Sequence, residues 1–245
     1  MIRTPDIYKV AEATWPPAST QRIGPWMIRD GQGGGKRVSA ATAEAAVQPA
    51  DLGQAETAME ALGQTPLFMV RNGEDALDQL LENAGYEVID PVAVYAIPIS
   101  EIATQRPPPI SAFTIWEPLK IMEELWAEGG IGPARLAVMA RVKGPKTGIL
   151  GRVNDRAAGT AFAAIHEKTA MIHAIEVTDT QRRQGTAINM MRETAFWAQD
   201  HGADTLVVLV TEANAPARAL YASLGMKVVE NYHYRIRSAE TSRSS

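Results

Sequence analysis

Residues 181–187, QRRQGTA, follow the apolar run AMIHAIEV and lead into a helical pattern. Gly185 can adopt backbone angles that other residues avoid, which lets the chain approach a ligand closely. The small residues at 185–187 leave consecutive N–H groups uncovered at a helix N terminus. Those orphan donors, together with the positive end of the helix, suit a phosphate or pyrophosphate. Arg182 and Arg183 add charge-assisted donors. The first helical turn carries no acidic residue, which is what an anion site wants. A short R-x-x-G-x-A pattern equally describes a merely solvated turn.

A second group is NAPARALYASLG, residues 214–225. Asn214 is suited to cap a short helix and Gly225 to end it. Ala217, Leu220 and Leu224 share one face and should be core. Tyr221 on the border of that face can turn a phenol toward the cleft where strands end. A phenol with a pKa near 10 can protonate a thiolate leaving group as it forms. A plain boundary tyrosine and a plain cap are the blander readings of the same residues.

Other chemistries have less to stand on. The chain has no cysteine, which rules out thiolate metal ligands, a cysteine nucleophile and disulfides, and suits a reducing cytoplasm. His166, His173, His201 and His233 follow no metal-site spacing, so no metal is expected. GQGGGKR at 31–37 is not a phosphate loop, because Asp30 and Arg37 occupy positions that need Gly and Ser or Thr. A flexible hairpin turn is expected there. A net charge of -4 with scattered Lys and Arg argues against nucleic acid as a partner. No apolar run is long enough to span a membrane, and the N terminus has no apolar core of a secretory signal.

The elements that must position these residues fall in two halves. The consecutive prolines at 107–109, within the run from Arg106 to Ile110, cannot extend a helix or a central strand. They set an expected division into 1–106, a linker at 107–110, 111–240 and a disordered tail at 241–245. In the first half a helix opens the chain at PDIYKVAEAT. GPWMIRD and KRVSAAT read as strands around the glycine turn. PADLGQAETAMEALG is a helix, PLFMV a strand and GEDALDQLLENAG a helix. YEVIDPVAVYAIPI reads as two strands broken at its first proline. In the second half PLKIMEELWAEGG and PARLAVMARV are helices. TGILGRV, GTAFAAI and AMIHAIEV are strands, with a tight HEKT turn between the last two. A helix over 186–200, the buried strand DTLVVLV, the short helix with Tyr221, and MKVVENYHYRI complete it.

An internal echo links the halves. PLFMVR at 66–71 and LVVLVT at 206–211 lie 140 residues apart, as do QLLENAGYEVID and ALYASLGMKVVE. Both give strand, helix, glycine, strand, which predicts a repeated unit. Leu81 stands opposite Tyr221 and Glu74 opposite Asn214. Nothing in the first half answers QRRQGTA, so the first copy has lost that chemistry. Trp15 and Trp26 are expected in the core, with a cleft-lining role as the alternative.

Residues 160–236 resemble the GCN5-related N-acetyltransferase superfamily. The acyl-CoA signature R/Q-x-x-G-x-G/A is matched at Arg182, Gly185 and Ala187. The later element is matched at Asn214, Leu220, Tyr221, Leu224 and Gly225, with Met226 in place of phenylalanine. Asp179 stands where many members have proline. The resemblance implies an α/β (α+β) acyl-CoA N-acyltransferase fold, a mixed and largely antiparallel twisted sheet flanked by helices, here in tandem. It implies an enzyme that moves an acetyl group from acetyl-CoA to an amine of a small molecule or peptide. A non-catalytic CoA-binding module is the rival. The amides of Arg183, Gln184, Gly185, Thr186 and Ala187 would hold the pyrophosphate and the backbone near Val177 the pantetheine arm. Asn214 would assist, Tyr221 would act as acid, and Glu176 or His173 as base. Glu176 and His173 lie three residues apart, so on a regular strand only one faces the cleft. A monomer or a homodimer fits equally.

Overall fold

The computed structural model describes residues 6–237. In chain order the elements are α1 (Ile7–Thr14), β1 (Ser19–Ile23), β2 (Trp26–Asp30), α2 (Lys36–Ser39), β3 (Thr42–Ala43), α3 (Leu52–Ala61), β4 (Leu67–Arg71), α4 (Asp75–Asn83), β5 (Glu87–Pro98), α5 (Ile99–Ile102) and β6 (Ala112–Ile115). There follow α6 (Lys120–Glu128), α7 (Pro133–Arg141), β7 (Lys146–Val153), β8 (Arg156–His166), β9 (Thr169–Val177), α8 (Thr186–Asp200), β10 (Thr205–Thr211), α9 (Ala215–Ser223) and β11 (Lys227–Ile236). They form two compact units that are not contiguous in sequence. One takes residues up to 16, 94–210 and 214–229; the other takes 17–93, 211–213 and 230 onward.

In the first unit the strand order is β5-β10-β9-β8-β7-β6. The pairs β6–β7, β7–β8 and β8–β9 are antiparallel, whereas β9 and β10 run parallel. The middle strands are apolar on both sides: Ala161, Phe162, Ala163 and Ala164 of β8 are all wholly buried. That is the pattern of a strand covered on both faces. Helix α8 lies on β7 and β6, while α1 and α6 lie on β8 and β9. Close seating of α8 depends on glycine. A Cβ at Gly151 would come within 2.7 Å of Thr186 Cγ2, and one at Gly159 within 3.1 Å of Met190 Cε.

In the second unit β4 pairs antiparallel with β11, from Leu67↔Ile236 to Arg71↔Tyr232, and β5 lies on the other side of β11. Trp26, Met59, Phe68, Leu81 and Tyr86 form its core. A small sheet, β1-β2-β3, completes it.

The expected repeat is present and in register. Arg71 and Thr211 end the first strands, Asp75 and Ala215 begin the helices, Asn83 and Ser223 end them, and Glu87 and Lys227 begin the closing strands, each pair 140 residues apart. Both helices close on a left-handed glycine, Gly85 at φ 81° and Gly225 at φ 82°. The closing strands are exchanged. β11, from the second repeat, bonds β4 of the first, and β5 stands beside β10.

Several expectations are revised. The prolines at 107–109 lie inside the 94–210 stretch, so the linear cut there does not coincide with the compact units. Residues 36–39 form a short helix, with only Thr42–Ala43 as strand, because the glycine turn feeds a helical start rather than a hairpin. Strand β5 runs unbroken through Pro91. Proline costs a strand only its N–H, and the carbonyl of Pro91 still accepts from the amide of Glu212 at 2.7 Å. The expected tail at 241–245 lies outside the described residues.

Candidate active site

Strands β9 and β10 part company before either ends. Their paired residues run from Thr169↔Thr205 to Ile172↔Val208, yet β9 continues to Val177 and β10 to Thr211. The cause is a bulge in β9. Its pairing with β8 skips between Thr160↔Glu176 and Phe162↔His173. Ala174 sits at φ +51°, a left-handed conformation that bends the strand. Trp126 Nε1 donates to the Ala174 carbonyl at 2.8 Å and fixes the bulge from α6.

The bulge changes which residues face outward. His173 is buried, and its Nε2 shares a hydrogen bond of 2.9 Å with Thr14 Oγ1. Its ring lies 5.0 Å from that of Trp15 and 6.2 Å from that of Phe162. His173 is therefore a satisfied core residue. Trp15 and Trp26 are buried too, as core packing requires, although Trp15 belongs to the first unit.

Glu176 is half-buried and lines a cavity of about 310 Å³ with Leu125, Gly129, Val177 and Arg182. Burial raises its carboxyl above the usual range; the guanidinium groups of Arg182 and Arg135 pull the other way. The pocket thus holds a carboxylate that takes up a proton more readily than an exposed one.

The turn after β9 delivers the predicted amides. Gly185 is the N-cap of α8 at φ 85°, with no side chain capping the helix. Arg183 precedes it at φ 60°. Among the described residues the N–H groups of Arg183, Gly185, Thr186 and Ala187 have no backbone acceptor. Successive free amides of this kind form an anion-binding concavity. Arg182 is exposed and bonded to Asp179 at 2.7 Å, an exposed pair worth little that a stronger anion can displace. The Gln184 side chain bonds to Gln181 Oε1 and the Thr180 carbonyl, at 3.1 and 3.4 Å. Thr186 is buried with its methyl toward Gly151, so only its backbone is available.

Asn214 caps α9, its side chain accepting from the Ala217 amide at 3.1 Å. Tyr221 departs from expectation. It is the buried residue of α9 at 4% exposure, whereas Ala217, Leu220 and Leu224 are only half-buried. Its ring lies 5.6 Å from that of Tyr95, and burial raises its hydroxyl pKa well above that of a free tyrosine. Leu81, its counterpart in the repeat, is buried as well. Sequence reasoning missed Trp126, Gly129 and Arg135, which bear on Glu176 from the α6–α7 region; the double glycine at 129–130 was the available signal. No group of three or more potential ligands for a metal occurs among the described residues. No described helix is long and apolar enough to cross a membrane.

A sheet opened by a bulge, with uncovered amides at the following helix, defines the acyl-CoA N-acyltransferase class of fold. Residues 116–226 match the model of the acetyltransferase (GNAT) family. The chain is 25% identical over 241 residues to the uncharacterized N-acetyltransferase YobR of Bacillus subtilis, covering 94% of this chain and 97% of that one. A GCN5-related N-acetyltransferase from Kribbella flavida superposes with a TM-score of 0.68 at 18% identity, covering 95% of each chain. A tandem GNAT protein from the clavulanic acid biosynthesis pathway gives 0.62 at 15% identity, over 94% of this chain and 86% of that one. Residues 116–226 are thus a domain of the acetyltransferase (GNAT) family, and the chain shares the fold of solved GCN5-related N-acetyltransferases.

Proposed function

We propose that this protein transfers an acetyl group from acetyl-CoA to a primary amine of a small molecule or peptide by direct attack. The carrying observation is that the open end of β9 delivers its chain straight into the uncovered amides of α8. Such a site fits an acyl carrier with a pyrophosphate at one end and an extended arm at the other. The amides of residues 183–187, with Arg182 and Arg183, hold the diphosphate. The unpaired backbone at Val177 takes the arm and polarises the acyl carbonyl. Asn214 retains its amide nitrogen as a donor. Holding the thioester beside the amine removes much of the entropic barrier. Glu176 takes the amine's proton, directly or through water, and Tyr221 gives one to the departing thiolate. Because burial keeps the Tyr221 phenol protonated over the physiological range, it is always available as the acid.

A panel of amines and amino acids, assayed with acetyl-CoA for thiol release, tests the reading. Binding of CoA with no turnover on any amine would mark a non-catalytic CoA-binding module instead. Tyr221→Phe separates the roles further. The ring keeps its packing on Tyr95, so folding and CoA affinity should hold while kcat falls by about 10²-fold. Loss of binding in this variant would show that the hydroxyl supports the fold rather than the chemistry.

A further inference from the structure

Five helices among the described residues end in the same way: a residue near φ −80° to −100°, then a glycine in the left-handed region. The pairs are Leu62–Gly63, Ala84–Gly85, Gly129–Gly130, His201–Gly202 and Leu224–Gly225. The second position needs glycine, since φ there lies between 69° and 82°. The first does not: Leu62, Ala84, His201 and Leu224 occupy it at angles close to those of Gly129, φ −80° and ψ 7°. Backbone conformation therefore gives no reason for glycine at 129. The reason lies across the gap. A Cβ on Gly129 would stand 2.5 Å from Glu176 Cδ and 2.7 Å from both its Cγ and Oε2.

We infer that Gly129 is a positioning residue for Glu176: the side chain missing at the end of α6 is the seat in which the carboxylate arm lies beside Val177 and Arg182. The inference rests on the proposed role of Glu176 as base. A methyl group at 129 would force the arm, which is long and rotatable, out of that seat rather than disturb the helix. The charged groups around the carboxylate are Arg182 from the turn after β9, Arg135 from α7, Glu128 at the end of α6, and Asp179. Displacement takes the carboxyl from half-buried surroundings toward water, so its pKa drops toward the ordinary value.

Gly129→Ala should keep the parent Tm and the KM for acetyl-CoA, lower kcat about ten-fold, and move the acidic limb of the rate profile to lower pH. Gly130→Ala is the control. It strains a left-handed position, so Tm should fall while the pH profile stays where it was. In a Glu176→Ala background the alanine at 129 should change neither rate nor Tm. If Gly129→Ala fails to fold but the double variant folds, the collision with Glu176 is established. Unchanged kcat and profile in Gly129→Ala, equal losses in both backgrounds, or misfolding of both would overturn the inference. Glu176→Gln separates the two readings. If that variant is fully active, Glu176 is not the base. Carboxyl NMR titration of Glu176 in parent and Gly129→Ala proteins then still decides whether Gly129 positions it.

Discussion

Glu176→Gln should lower kcat for acetyl transfer about 100-fold near pH 7, within the range usual for loss of a general base, and leave acetyl-CoA affinity intact. The parent rate should fall as pH drops through the Glu176 pKa, which burial has raised above the ordinary carboxylate range, because the ionised form is the active one. In the variant that limb disappears. Stability should move the opposite way. A carboxyl whose folded pKa is raised binds protons more tightly in the native state than in the unfolded one. Folding is then penalised as pH rises from the unfolded pKa through the folded one, and the full penalty is present at neutrality. Glutamine removes it. Since Glu176 is only half-buried, the gain is below about 1 kcal/mol, present at pH 7 and absent below the ordinary carboxylate range. A variant with parental kcat at pH 7 would sink the assignment.

The sequence carried the local grammar of this site well. The R-x-x-G-x-A turn, the acid-free start of α8 and the capped, glycine-ended α9 are set by neighbours a few residues apart. The 140-residue echo survived for the same reason, since each copy repeats its own strand, helix and left-handed glycine. What was not legible is non-local. Parity placed His173 and Glu176 on opposite faces of a regular strand, but the strand is not regular at Ala174, where a bulge held by Trp126 inserts one extra residue. Tyr221 lay on the border of an apolar stripe by spacing alone, yet α9 buries that residue because Tyr95, on a distant strand, provides its partner. Nothing near Trp15 signals that it will stack on His173.

The exchange of closing strands belongs to the same class of fact. Proline at 107–109 suggests a boundary along the chain, yet it falls inside the 94–210 stretch of one compact unit. It cannot reveal that β11 leaves its own repeat to pair with β4, or that β5 stands beside β10. A repeat whose final strand is bonded to the other repeat cannot be cut out at the linker without unpairing β4 from β11, β11 from β5 and β5 from β10. The degenerate first copy therefore has a structural task even with no catalytic turn of its own: its closing strand supplies a neighbour for β10 in the unit that carries the site.

That task makes the anchor of β11 in the second unit the other sensitive point. Arg235 is buried at 5% exposure, and its guanidinium donates from Nε to Asp78 Oδ1 at 2.8 Å and from Nη2 to Oδ2 at 3.0 Å. Nη1 donates to the Tyr86 carbonyl at 2.8 Å, and His233 Nε2 lies 2.7 Å from Asp78 Oδ1. Asp78→Asn leaves a buried guanidinium without its counter-charge, which should cost about 3 kcal/mol and lower Tm by about 10 °C for a chain of this size. Hydrogen exchange should quicken along β4 and β11. The bonds from Arg235, then those from His233, hold the Asp78 carboxyl below the usual range. A depressed folded pKa stabilises above the unfolded value, and that contribution is lost as pH falls through the folded one. Acid sensitivity below about pH 4 should therefore be present in the parent and missing from the variant. The pair itself is not what the fold requires. Replacing both members with apolar residues, Asp78→Leu and Arg235→Met, should recover most of the lost stability, because the penalty comes from the stranded charge. A double variant as unstable as Asp78→Asn alone would mean that the bidentate geometry, rather than the removal of an uncompensated charge, holds β11 in place.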